Sequence, residues 1–124
     1  MVPEPIGYVY LMAGASRVLY TGITSDLRRR VWQHKTGSPP GFTQGYRVTR
    51  LVHYEWTGHI RVAIEREREI KSWRREKKIQ LIEAHDPAWI DLALDWFPDL
   101  RGQGPSLRAE VLQPFGMRYR HCSG

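Results

Sequence analysis

Apolar and polar positions alternate in three separate stretches of the chain. Gly7 to Met12 and Val18 to Ile23 are rich in aromatic and β-branched residues and read as two strands joined by a tight turn at 13–17. Val48 to Trp56 alternates in the same way and predicts a third strand. Between them the period lengthens. Thr24, Ser25 and Asp26 offer N-cap oxygens for a helix running to about Lys35, which Gly37, Pro39, Pro40 and Gly41 stop. Helical spacing returns from Ile60 to Arg74, again over Lys77 to Glu83, and once more over Trp89 to Trp96. Beyond that, Pro98, Gly102, Gly104, Pro105 and Pro114 break every period. The expected architecture is α+β, a small antiparallel sheet of three strands flanked by helices, with a domain over 5–94 and an extension over 95–124 whose role the sequence does not state.

Helical spacing also sorts the charged residues by face. In the first helix Leu27, Arg30, Val31 and His34 share one stripe, while Arg28 and Arg29 point away from it. A guanidinium on an apolar stripe either snorkels along its edge or meets a partner or ligand. In the second helix Ala63, Glu67, Ile70 and Arg74 form the stripe, with Arg66 and Trp73 beside it and Glu65 and Glu69 turned outward. A carboxylate there is either paired with a cation or placed to hold a hard metal ion such as Mg²⁺. Tyr8, Tyr10 and Tyr20 decorate the first two strands, Tyr8 and Tyr10 on the same face.

Charge adds a partner class. Of the 124 residues, 19 are Lys or Arg and 13 Asp or Glu, a net charge of +6, and the whole excess lies in the first ninety. Arg28, Arg29, Lys35, Arg66, Lys71, Arg74, Arg75, Lys77 and Lys78 make a candidate phosphate track with Trp73 interleaved. DNA is the expected partner. A single cysteine, Cys122, excludes an intrachain disulfide and a thiolate metal cage. There is no P-loop, dinucleotide fingerprint, zinc spacing or nucleophilic Ser/Cys–His constellation. No apolar run reaches the length of a membrane span, and the acidic, proline-containing start lacks a leader pattern, so a cytoplasmic protein is expected.

Several linked motifs carry a resemblance. Tyr8-Val9-Tyr10, Tyr20-Thr21-Gly22, Arg30 and the helix Ala63 to Lys71 with its Glu67 resemble, in order and spacing, the GIY-YIG nuclease superfamily. The run from Tyr20 to His34, Gly41-Phe42-Thr43, Leu51 to Glu55, Trp73 to Lys78 and Asp86 to Leu92 look like its small stand-alone bacterial members. The resemblance covers roughly 5–94. It implies a metal-dependent endonuclease that hydrolyses phosphodiesters, acting on particular DNA structures or in repair or recombination. Tyr10, Tyr20, Arg30, His34 and Glu67 become the catalytic set, with Glu67 holding a single Mg²⁺ or Mn²⁺ and with Tyr20 and His34 rival general bases. Three departures stand out. Ile23 follows Gly22 where repair-type members carry Lys, Asp86 precedes Pro87 where the small members have Asn, and Tyr8-Val9-Tyr10 replaces Gly-Ile-Tyr. The alternative is a non-catalytic nucleic-acid-binding module that keeps the fold and uses Trp32, Trp73 and the cationic helix. The extension from Phe97 onward is a candidate protein-interaction segment.

Overall fold

The computed structural model describes residues 6–37, 47–98 and 120–121. Strand β1 (Gly7–Ala13) is central in the antiparallel part of the sheet, with β2 (Leu19–Thr24) on one side and β3 (Arg50–Thr57) on the other. Both pairings are antiparallel, Tyr10 lying opposite Gly22 on β2 and opposite Tyr54 on β3. The expected three-stranded antiparallel sheet is therefore present. A two-residue strand, β4 (Arg120–His121), adds a parallel rung outside β3, opposite Glu55 and Trp56, and no period in the sequence announced it. A register shift between Leu11 and Met12 lets Val52 and His53, adjacent on β3, both serve the same face of the sheet.

Helices cover both faces. Helix α1 (Leu27–Thr36) begins where the Asp26 carboxylate accepts from Arg29 N at 3.2 Å, and it ends at Gly37, whose φ of 73° is the left-handed cap conformation that glycine adopts without strain. Its Leu27 and Val31 pack with Tyr10, Met12, Leu51 and Tyr54. Helix α2 (Ile60–Lys71) and helix α3 (Arg75–His85) lie on the opposite face, where Ala63, Ile70 and Ile82 meet Val9, Leu11, Ala13 and Val52. Alternation along β1 thus feeds two cores, even positions toward α1 and odd positions toward α2 and α3. Close packing at the start of β1 requires Gly7: a Cβ there would sit 2.6 Å from the Ala63 Cβ.

The expected third-strand and helix boundaries hold to within a few residues, except in two places. The second helix stops at Lys71 rather than Arg74, because Ser72 caps it and the chain turns at Trp73. The helix expected over Trp89 to Trp96 is instead a succession of turns. Trp89 adopts φ 57°, its indole N–H donates to Glu83 Oε2 at 2.6 Å, and Asp91 Oδ1 accepts from the amides of Leu51 and Ala93. These bonds divert the backbone from a helical ladder. Trp96 and Phe97, at the end of this segment, pack in the α1-side core. The Gly41-Phe42-Thr43 motif, the loop to Gly45 and almost all of the extension beyond Pro98 lie outside the described residues.

Candidate active site

Three rings and a guanidinium converge where the middle of β1 and β2 faces α1. The Tyr10 hydroxyl shares a hydrogen bond with His34 Nε2 at 2.9 Å. The Tyr20 ring meets His34 edge-on with centroids 4.7 Å apart, and it lies 6.0 Å from the Tyr10 ring. Arg30, one helical turn before His34, stands close enough for its charge to act on both Tyr10 and His34. Gly22 makes this possible by standing opposite Tyr10: a Cβ there would come within 2.5 Å of the Tyr10 oxygen and 2.8 Å of Tyr20 Cε1.

Burial divides the labour among these groups. Tyr10 and His34 are fully buried, whereas Tyr20 and Arg30 are half-buried and reach the surface. Burial raises the Tyr10 phenol far above its ordinary range, Tyr20 adds to the rise, and the Arg30 cation opposes it. Tyr10 is therefore neutral. Burial pushes His34 down to about 4, and the Arg30 charge beside it pushes the same way. His34 is therefore a neutral imidazole at pH 7, with its Nε2 already engaged by a phenol.

Glu67 stands apart from this quartet. It occupies the α2 stripe of Ala63 and Ile70, which packs on the opposite face of the sheet, and its side chain is 14% exposed. Its carboxylate pairs with Lys71 at 2.8 Å across one helical turn. Helix α2 packs against β1 and β2, and β2 is the outer strand, so the two faces meet around its edge. A single hard carboxylate fits Mg²⁺ or Mn²⁺ with waters completing the shell, and the exposed Lys71 can swing into solvent to release it. Among the described residues no group of three or more His, Cys, Asp or Glu gathers as a metal cage.

The cations expected along the phosphate track divide into two sets. Arg28 donates to the Trp96 carbonyl at 2.8 Å and covers the Phe97 ring, Lys35 pairs with Asp91 and donates to the Thr49 carbonyl, and Arg66 is held by Glu55. These three make bonds within the fold. Arg29, Lys71, Arg74, Arg75 and Lys77 are exposed, and Lys78 is half-buried. Arg75 donates to the Arg17 carbonyl at 2.8 Å, which fixes the start of α3 against the β1–β2 turn.

One cluster escaped the sequence reading. Glu55, 1% exposed on β3, accepts from Arg66 Nε at 2.8 Å and Nη2 at 3.0 Å, and it shares a 2.8 Å hydrogen bond with His53 Nε2. Against the desolvation that would raise it, those bonds hold its carboxyl well below the usual carboxylate range. The signal was a Glu two residues from a His inside an apolar strand, a spacing that puts both on one face. Asp86, which departs from the expected Asn, accepts from Ile90 N through Oδ1 at 2.8 Å, a turn-capping role that either residue can fill.

The sequence model of the GIY-YIG catalytic domain matches residues 6–80. A UPF0213 protein of Haloquadratum walsbyi is 45% identical over 76 residues, covering 61% of this chain and 85% of the relative. One from Clostridium perfringens is 36% identical over 77 residues, covering 62% and 83%. A solved structure, the solution NMR structure of a UPF0213 protein from Bacillus halodurans, is 31% identical and covers 68% of this chain and 89% of its own, with a TM-score of 0.46. A family match spanning well over half the chain, laid over the strands and helices that carry the tyrosines, Arg30, His34 and Glu67, makes this chain a member of the GIY-YIG nuclease-type family.

Proposed function

We propose that the protein is a divalent-metal-dependent DNA endonuclease in which Tyr20 and Arg30 meet the scissile phosphate on one side of the outer strand β2 and Glu67, approached around its edge, holds the metal ion, while Tyr10 and His34 hold Tyr20 and Arg30 in place. The observation that carries this reading is the Tyr10 hub, a buried neutral phenol bonded to His34, in ring contact with Tyr20 and within the field of the Arg30 cation. Burying polar atoms is costly unless they are paired, and here the Tyr10 hydroxyl and His34 Nε2 pair with each other while one phenol and one cation reach the surface. That is the pattern of a preorganised anion site.

The choice between Tyr20 and His34 as general base follows from access. His34 is fully buried and its Nε2 is taken, so water does not reach it. Tyr20 reaches the surface beside the Arg30 cation, so Tyr20, once its own proton has passed to solvent, orients the attacking water and accepts its proton, and Arg30 offsets negative charge developing on the phosphoryl group. His34 is a positioning residue acting through Tyr10. Glu67 would hold the metal ion, which when bound polarises a phosphate oxygen and stabilises the leaving oxygen.

The test is cleavage of fluorescent flap, nicked and single-stranded DNA by the wild type in magnesium, in manganese and in EDTA, beside Glu67→Gln. The wild type cuts only with metal, and the variant is slower by about 10²-fold or more, the usual cost of removing one transition-state charge contact. Equal cleavage by Glu67→Gln, or binding without cutting under every condition, would discard the proposal.

A further inference from the structure

On the α2–α3 side of the sheet, away from the tyrosine cluster, the chain turns at Trp73 between two helices. Trp73 is half-buried: one part of the indole packs against the core, and the rest lines a groove with Arg74, Glu76, Lys77 and Gln80. The Lys77 ammonium stands 4.4 Å from the ring centroid, and the Arg66 guanidinium, anchored by Glu55 and Glu69, lies 5.3 Å from it. Over residues 71–80 five cations face one carboxylate, that of Glu76. Nothing in the proposed chemistry at Tyr20 uses this groove.

An indole set into a groove beside an exposed ammonium, within a strongly positive stretch, matches the two needs of an unpaired nucleotide. Its base requires a flat apolar surface, and its phosphates require cations a few ångströms to the side. Lys77 can leave the ring for a phosphate as a base takes its place, because its stem is flexible and its head exposed. A base-paired duplex offers no free base face to the indole and gains only the charge. Position supports the same occupant. Arg75 fastens this turn to Arg17, and Tyr20 on the outer strand is three steps further along the chain, at most roughly 10 Å away.

From this geometry we infer that Trp73, with Arg74 and Lys77, is a stacking platform for a single-stranded DNA segment, so that the substrate class is DNA with an unpaired arm beside the cleavage point. This rests on the chain being directed at DNA, but not on its cutting it. The test is therefore binding without metal: anisotropy of a fluorescein-labelled twelve-residue oligothymidine and of a duplex of equal length, both in EDTA, with the full chain. Trp73→Ala weakens single-strand binding about tenfold, within the usual range for loss of one stacked base, and duplex binding by less than about threefold. Trp73→Phe retains most of the affinity. Equal losses on both DNAs, or none on either, would overturn the inference. Because part of Trp73 packs in the core, a second measurement uses the unaltered protein: photocrosslinking to an oligonucleotide carrying 5-iodouracil, with adducts mapped by mass spectrometry. An adduct on the indole of Trp73 is expected, and adducts only elsewhere refute it.

Discussion

Burial of His34 ties the stability of the whole domain to pH. Its folded pKa is about 4, against about 6.5 for an unperturbed imidazole in an unfolded chain. Between those values the unfolded state binds a proton that the folded state refuses, so stability is complete above pH 6.5 and falls as the pH drops toward 4. At 1.36 kcal/mol for each pH unit the full difference is about 3 kcal/mol, of which about 2 is lost between pH 7 and 4.5. The low end of that window is chosen because Glu55, whose folded pKa is depressed, contributes stability above its unfolded value near 4.3 and loses it only as acid takes the pH below that. Urea unfolding followed by tryptophan fluorescence at pH 7, 6, 5 and 4.5, on wild type and on His34→Gln, isolates the imidazole. Glutamine keeps a polar atom for Tyr10 and does not titrate, so His34→Gln should be the less stable protein at pH 7 yet show a curve flatter by about 2 kcal/mol over the window. Parallel curves for the two proteins would refute the reasoning, for the histidine would then carry the same charge folded and unfolded.

Two further perturbations test the packing around the site. Glu55→Ala leaves Arg66 and His53 without their shared carboxylate beneath α2, and thermal or urea unfolding should show a loss of about 3–5 kcal/mol, the usual result of breaking a buried ion pair from one side; a loss below about 1 kcal/mol would mean that the cluster is idle. Gly22→Ala drives a methyl into the Tyr10 oxygen, so it should cost about 1–3 kcal/mol and perturb the His34 ring resonances in proton NMR, whereas an unshifted His34 spectrum would show that Tyr10 has room to move.

Most of the scaffold was legible because its strands alternate and its first helix carries both caps. Arg30 and His34 could be placed on the inward stripe of α1 by spacing alone, since a helical period fixes which side chains share a face. Spacing could not say that β2 would be the outer strand, nor that α1 and α2 would take opposite faces, and so the separation of Glu67 from the tyrosine cluster was not foreseeable. The Glu55–Arg66 pair joins a strand to a helix across a turn, and a periodicity confined to one element is blind to it. Segment 89–96 misled for a different reason. Its apolar residues fall at helical intervals, yet Asp91 commits its carboxylate to backbone amides, one of them on another strand, and side-chain competition of that kind leaves no trace in hydropathy.

The run of turns after α3 works as a fastening. Trp96 receives Arg28, Asp91 receives Lys35, and Leu92 N donates to the Leu51 carbonyl at 2.8 Å, so a stretch downstream of the family match clasps the helix bearing Arg30 and His34 at both its ends. The motif run and its clasp are thus one mechanical part. Evolution of the sequence between residues 86 and 97 can retune the aim of Arg30 without altering Tyr10, Tyr20, Gly22 or Glu67, which makes this unassuming buckle a place where relatives with the same signature can diverge in how they hold that guanidinium.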